Sequence, residues 1–197
     1  FFILPIFRPF LACFFTGTAV KIMDDYLDAP LDRLISKRTW AMDLQEAALP
    51  YALIALSLGI IADPLWSITL FWASYSIGMR GDLSRPLPLG LTGWQEGLFL
   101  GVLTLLLFGW KALLTSWAAI FSVQAIDDLL DQKQDRMSGA GNWAVRWGTV
   151  ETCLAVAISV AILCYLDVMK LILVWINGLL VVSIQQYGAR KEVKTGD

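Results

Sequence analysis

The chain contains no histidine, and only three of its 197 residues are cysteine. The missing histidine excludes a Ser-His-Asp triad, an imidazole base and a histidine-ligated metal. Cys13, Cys153 and Cys164 lie in apolar runs without Cys-x-x-Cys spacing, so neither a zinc site nor a disulfide framework is expected. Any chemistry must therefore depend on carboxylates, on cationic side chains and on a metal that accepts oxygen ligands.

Charged residues are also scarce, at 16% of the chain, whereas 57% of the residues are hydrophobic and the mean hydropathy is +0.64. This composition indicates an integral membrane protein and not a water-soluble one. The 15 Lys and Arg residues are outnumbered by 17 Asp and Glu residues, which gives a net charge of -2. Nucleic acid is therefore not expected as a partner, because it would require a basic surface.

Apolar runs between polar breaks predict seven membrane-spanning helices, because a hydrocarbon core of about 30 Å needs roughly 20 apolar residues per helix. The predicted fold is an all-α, polytopic transmembrane helical bundle that forms one domain, residues 1–197. The predicted spans run from about 9–28, 46–62, 64–79, 94–109, 112–130, 148–166 and 168–187.

The distribution of positive charge predicts the orientation of these spans. The longer connections, 29–45, 80–93 and 131–147, and the C-terminal tail hold most of the basic residues, whereas Lys111 and Lys170 fall on the opposite side. By the positive-inside rule, the long connections and the C-terminus face the cytoplasm. The basic residues on that side are Arg33, Lys37, Arg38, Arg80, Arg85, Lys133, Arg136, Arg146, Arg190, Lys191 and Lys194.

Two short windows, 24–33 and 127–136, contain eight of the 17 acidic residues. Both windows read D-D-x-L-D-x-x-x-D-R, and every matched position is offset by 103 residues (127 − 24). Each window lies at the cytoplasmic end of a predicted span. An acidic residue at a membrane boundary can simply cap a helix or solvate a loop, but two copies in register favour a function. The carboxylates are those of Asp24, Asp25, Asp28, Asp32, Asp127, Asp128, Asp131 and Asp135.

The spacing of these carboxylates predicts a shared metal site. At about 100° per residue, offsets of 0, +1, +4 and +8 place all four side chains of a window within one quadrant of a helix. Such like charges repel unless cations neutralise them. Ligation by oxygen alone favours Mg²⁺ or Mn²⁺. Pro30 lies within the first window and favours a turn at Asp32 instead of a continuous helix.

A metal held between two acidic faces would bind a diphosphate, because phosphate oxygens and water complete the shell of Mg²⁺. Basic residues on the same side would neutralise the phosphate charge and assist departure of pyrophosphate. If the diphosphate carries an isoprenoid chain, the expected reaction is alkyl transfer through an allylic cation. We expect Asp28 and Asp131 to be the catalytic carboxylates. The expected diphosphate-binding residues are Arg33, Lys37, Arg38, Arg80 and Arg136.

These motifs resemble those of the UbiA-type membrane prenyltransferases. The family's first motif, N/D-D-x-x-D-x-x-x-D, is matched by Asp24, Asp25, Asp28 and Asp32, and its second by Asp127 or Asp128 with Asp131 and Asp135. Residues 135–148 are similar to its D-R-x-x-G…A-V-R-x-G segment. Tyr75-Ser76, followed by Arg80, is similar to its Y-S…K/R segment.

The resemblance implies an enzyme that transfers a prenyl group, with Mg²⁺ as cofactor, to a lipid-phase acceptor such as an aromatic quinone precursor. It also implies that the first and last of nine family helices are absent. Since the chain begins at Phe1 rather than Met, we expect that it is a truncated or short member.

Two other functions remain open from the sequence. Residues 139–142 lack the basic side chains that many family members have after the second motif, which favours a relative that binds prenyl lipid without turnover. Paired carboxylates in two related halves also occur in cation transporters. However, the clusters lie at the cytoplasmic boundary instead of the midplane, and Lys21 is the main charge within a span.

Overall fold

The computed structural model describes residues 4–34, 39–79, 90–138 and 142–195, without the side chains of 4–5, 31–34, 134, 138 and 188–195. No β-strand occurs in these ranges, so the all-α prediction is confirmed for them. A 3-10 turn, Gln45–Ala47, joins α2 to α3. The helices are α1 (Leu4–Leu34), α2 (Trp40–Leu44), α3 (Ala48–Ala62), α4 (Pro64–Ile77), α5 (Gly93–Ser138), α6 (Trp143–Trp147), α7 (Thr149–Leu166) and α8 (Val168–Thr195).

Within the described ranges, five helical stretches are long and apolar enough to cross a membrane. Helices are the expected form, because in hydrocarbon each backbone N–H and C=O group must find its partner within the chain. Large apolar side chains such as those of Ile61, Leu106 and Leu179 are exposed, which suits contact with lipid. The stretches are Ile6–Pro30, Trp40–Ala62, Gly93–Lys133, Thr149–Leu166 and Val168–Tyr187.

The longest helix, α5, contains two of the predicted spans, 94–109 and 112–130. Its backbone leaves helical geometry at Gly109, where φ is 83° and ψ is 167°. A methyl group at Gly101 would lie 3.5 Å from Cζ2 of Trp117, although 16 residues of straight helix would separate the two by about 24 Å. The two parts of α5 therefore fold back on each other at Gly109, where glycine permits the positive φ.

The predicted loops 29–45 and 131–147 contain more helix than expected. Helix α1 continues through Pro30 to Leu34, so the expectation of a turn at Asp32 is wrong for the backbone. Pro30 removes one hydrogen bond near the end of α1, where its ring is exposed, and the helix tolerates this loss. The short helices α2 and α6 also lie within these predicted loops.

Backbone contacts divide the chain into two compact units. The first unit contains the described residues up to Phe71 and from Ile176 onward, and the second contains those from Trp72 to Trp175. In the first unit α1 packs on α3, whose buried face consists of small residues, and in the second α5 packs on α7. Small residues let helix backbones approach closely in a membrane. The buried face of α3 is formed by Ala48, Ala52, Ala55 and Gly59.

The buried faces of α1 and α5 repeat with the same offset of 103 residues as the acidic windows. Both faces follow a 3- and 4-residue spacing, as expected for a helix with one packed side. The sequence repeat therefore corresponds to a repeat of packing and is not limited to the aspartates. Buried positions that match are Ala12 and Thr115, Cys13 and Ser116, Thr16 and Ala119, Ala19 and Ser122, and Ile22 and Ala125.

Gly59 on α3 lies close to Thr16 of α1 and Ser67 of α4, and this contact leads to a prediction. A methyl group at Gly59 would lie 2.9 Å from Oγ1 of Thr16 and 3.0 Å from Oγ of Ser67, both of which are buried. We expect Gly59→Ala to lower the free energy of unfolding by about 1–3 kcal/mol, because the helices must move apart. Thermal unfolding in detergent would measure this change.

The matched control is Gly17→Ala in the same unit, where the new methyl group would meet only Cγ2 of Val181, at 3.8 Å. That distance is ordinary van der Waals contact, so Gly17→Ala should be tolerated. Equal melting temperatures for the two variants would contradict the close approach at Gly59.

Candidate functional site

The first acidic cluster lies at the end of the apolar part of α1, and Asp25 is its buried member. Asp25 is only 3% exposed, and Lys21 Nζ lies 2.9 Å from its Oδ1. Its Oδ2 accepts a hydrogen bond from the backbone N–H of Trp40, at 3.1 Å, and another from Nε2 of Gln185, at 2.6 Å. Both oxygens are therefore engaged within the first unit, and Asp25 ties α1 to the start of α2 and to α8.

The second acidic cluster, on α5, contains the matching residue Asp128. Its Oδ2 accepts a hydrogen bond from the backbone N–H of Trp143, at 2.7 Å. Trp143 is the first residue of α6, as Trp40 is the first residue of α2. Each aspartate thus binds the backbone amide 15 residues further along the chain. A carboxylate that accepts a backbone N–H at a helix start stabilises that start.

The short helices repeat along with their aspartates. Thr39 and Asn142 cap α2 and α6 with extended backbones, and each helix ends at a residue with positive φ, 50° at Gln45 and 109° at Gly148. The dipeptide Trp-Ala opens both helices, at 40–41 and 143–144, again 103 residues apart. This dipeptide is a visible signal in the sequence that was missed. It extends the repeat beyond the arginine that ends each window.

Three side chains on one face of α5 form hydrogen bonds to α6 and its N-cap residue. Besides Asp128, Gln132 donates from Nε2 to the carbonyl oxygen of Ala144 at 2.8 Å, and Asp135 Oδ2 accepts from Nδ2 of Asn142 at 2.7 Å. Residues 128, 132 and 135 share a helix face because they are four and three residues apart. The carboxylates of Asp128 and Asp135 therefore help to hold α6 on α5.

The remaining carboxylates face outward to different degrees. Asp28, Asp127 and Asp131 are exposed, and Asp24 is half-buried. Asp24 and Asp28 are four residues apart on α1, as are Asp127 and Asp131 on α5, so each pair lies on one face of its helix. The structure thus gives each cluster one carboxylate that binds a Trp amide and one pair of carboxylates four residues apart on one helix.

The diphosphate-binding residues proposed from the sequence are largely outside the described residues. Lys37, Arg38 and Arg80 lie there, as do the side chains of Arg33 and Asp32. Arg136 is described and is exposed in the last turn of α5. Of the predicted cations, Arg136 is therefore the one whose side chain the structure describes.

The carboxylate pairs fit a hard divalent cation through their chemistry. Among the described residues, no group of three Cys, Asp or Glu side chains is close enough to enclose a metal ion. Mg²⁺ does not need such an enclosure, since it is usually held by one or two carboxylates while water and phosphate oxygens complete its shell. One pair per cluster, Asp24 with Asp28 and Asp127 with Asp131, meets that requirement. Sharing of metal between the clusters stays a prediction, because the clusters belong to different units.

The intramembrane charge of the first unit is neutralised locally. Lys21 lies within a candidate span and pairs with Asp25 in the following turn of the same helix. At the matching position of α5 the chain has Gln124, so only the first cluster has a lysine at this position. The pair lowers the cost of holding both charges at membrane depth.

Comparisons with models of protein families, with curated proteins and with solved structures find no match to this chain. The site must therefore be interpreted from its own residues and from the repeated motif.

Proposed function

We propose that the protein is a Mg²⁺-dependent membrane prenyltransferase of the UbiA type. It would transfer the prenyl group of a prenyl diphosphate to a lipid-phase acceptor such as an aromatic quinone precursor. The observation that carries the proposal is the twofold occurrence of one local structure. In each copy the apolar part of a helix ends in D-D-x-L-D, and the second aspartate binds the amide of a Trp that opens a short helix.

The aspartates of each copy would have different roles. Asp25 and Asp128 hold the short helices in place, as their hydrogen bonds indicate. The pairs Asp24 with Asp28 and Asp127 with Asp131 would hold Mg²⁺, with Asp32 and Asp135 as further candidates. A bound Mg²⁺ would supply positive charge that binds the diphosphate and stabilises it as a leaving group.

The basic residues and the apolar helices would complete the site. Arg136, together with Arg33, Lys37, Arg38 and Arg80, would neutralise the remaining phosphate charge. The isoprenoid tail would lie along apolar helix surfaces, where exclusion of water protects the allylic cation from capture. The positive charge of the long connections supports a cytoplasmic position for both acidic windows and the C-terminus.

The proposal predicts metal-dependent release of pyrophosphate. With the protein in lipid nanodiscs, we expect geranyl or farnesyl diphosphate to release pyrophosphate when Mg²⁺ is present. Removal of Mg²⁺ by EDTA should lower the rate by at least about 100-fold, since one electrostatic contact to a leaving group already contributes that much. A colorimetric pyrophosphate assay measures the rate, and added Mg²⁺ should restore it.

Isopentenyl diphosphate is the matched control substrate, because its carbon–oxygen bond is not allylic and its cation is not delocalised. It should release no pyrophosphate under the same conditions. Saturable binding of farnesyl diphosphate without any release would instead favour a prenyl-lipid-binding relative. Uptake of cations into liposomes that contain the protein would favour a transporter.

A further inference from the structure

Tyr75 and Glu96 form a hydrogen-bonded pair in the second unit that the proposed function does not yet use. The hydroxyl of Tyr75, near the end of α4, donates to Oε2 of Glu96 in the first turn of α5, at 2.7 Å. Both side chains are partly buried, so each is shielded from bulk water without being sealed off. A tyrosine hydroxyl held by a carboxylate is a suitable group for moving a proton.

The end of α4 also approaches the acidic cluster of α5. A methyl group at Gly78 would lie 2.6 Å from Oε1 of Gln124, so the backbone at Gly78 passes directly beside that side chain. Gln124 is three residues before Asp127, about one helical turn. Since Tyr75 is three residues before Gly78, the pair and the acidic cluster are offset by no more than about two turns along the helices, roughly 10 Å, to which the spacing of about 8–10 Å between two packed helices is added.

We infer that Tyr75 and Glu96 accept the proton that the acceptor loses when it is prenylated. This inference rests on the proposed alkyl transfer and names the chemical class of the acceptor, a phenol or another group that must lose a proton. The distance suits the role, because the acceptor would have to lie between the pair and a diphosphate held at the acidic cluster.

In the proposed step, the carbon–oxygen bond to the diphosphate is exchanged for a bond to the acceptor, and one proton moves to Glu96. The bond between C1 of the prenyl group and the diphosphate oxygen breaks, and its electron pair leaves with pyrophosphate. An electron pair of the acceptor ring or its oxygen forms the new bond to C1. The acceptor then gives its proton to Oη of Tyr75, while Tyr75 gives its own proton to Glu96, so that the products are prenylated acceptor, pyrophosphate and protonated Glu96. Regeneration requires loss of this proton to water.

The test separates the alkylation step from the ionisation step. The protein in nanodiscs is given farnesyl diphosphate, Mg²⁺ and a set of simple phenols, and pyrophosphate and prenylated phenol are measured separately. We expect Glu96→Gln to keep the release of pyrophosphate, with farnesol as the organic product, and to lower prenylated phenol by about 100-fold or more. Glu96→Asp should recover part of this loss, because it restores a carboxylate.

The Gln variant distinguishes this role from a structural one. Its amide oxygen can still accept the hydrogen bond of Tyr75, so the contact between α4 and α5 is kept while the base is lost. Glu46→Gln, which changes an exposed carboxylate of the first unit, is the matched control and should alter neither product. The Michaelis constant for farnesyl diphosphate should be unchanged in Glu96→Gln.

Two results would overturn the inference while leaving the proposed function intact. Prenylation by Glu96→Gln at the wild-type rate would show that Glu96 receives no proton. An equal loss of pyrophosphate and prenylated phenol in Glu96→Gln would show that it only supports the fold. By contrast, a wild-type protein that releases no pyrophosphate would refute the proposed function itself.

Discussion

Asp131→Asn is expected to lower the Mg²⁺-dependent release of pyrophosphate by at least about 100-fold, and Asp28→Asn should have an effect of similar size. Asparagine keeps the shape of the side chain and one oxygen but removes the negative charge that a hard cation requires. Both aspartates are exposed, so the substitution should leave the fold largely unchanged. The loss should therefore appear in catalysis and not in expression or melting temperature.

The chain offers a control for each of these variants. Asp63 and Asp167 each accept a backbone N–H through Oδ1, from Trp66 at 3.1 Å and from Lys170 at 3.0 Å, at the start of α4 and α8. Asparagine caps a helix as well as aspartate does, so Asp63→Asn and Asp167→Asn should keep both stability and activity. If Asp131→Asn and Asp167→Asn release pyrophosphate at the same rate, the assignment of the metal ligands is wrong.

Removing two hydroxyl groups from α5 is expected to have the largest effect on stability. Lys170 is only 2% exposed, and its Nζ lies 3.0 Å from Oγ1 of Thr115 and 3.1 Å from Oγ of Ser116. The double variant Thr115→Val with Ser116→Ala deprives the buried amino group of both hydroxyls. We expect a loss of about 2–4 kcal/mol in the free energy of unfolding, because the polar group keeps its desolvation cost.

A third substitution tests the cause of this loss. Adding Lys170→Met to the double variant removes the amino group while keeping a flexible apolar chain, and it should restore much of the stability. Thr104→Val is the control, since the hydroxyl of Thr104 is buried and donates to the carbonyl oxygen of Leu100 in its own helix. A triple variant no more stable than the double one would show that the hydroxyls do not support Lys170.

Lys170 makes a buried contact that the distribution of charge along the sequence does not predict. The distribution of positive charge places this lysine at the non-cytoplasmic end of the predicted span 168–187, where a long lysine side chain normally reaches the polar interface. The structure buries it against Thr115 and Ser116, which lie 55 and 54 residues earlier in the chain. Sequence spacing contains no information on a contact of this kind, because it depends on which faces of α5 and α8 pack together.

The sequence also does not predict the contact between Tyr75 and Glu96. Tyr75 belongs to a Y-S segment, and Glu96 is a single carboxylate in a helix, which is usually solvated. The two residues are 21 positions apart, on different helices. Only the packing of the end of α4 against the first turn of α5 brings them within hydrogen-bonding distance.

Composition and periodicity by themselves determined that the chain is helical, that its helices suit a membrane, and that two acidic windows repeat at a spacing of 103 residues. These properties follow from hydropathy and from the geometry of single helices, which act locally. Tertiary structure decided which carboxylate of each window binds a backbone amide. All four aspartates share one quadrant of an ideal helix, so only the position of α2 beside α1 and of α6 beside α5 could distinguish Asp25 and Asp128 from their neighbours.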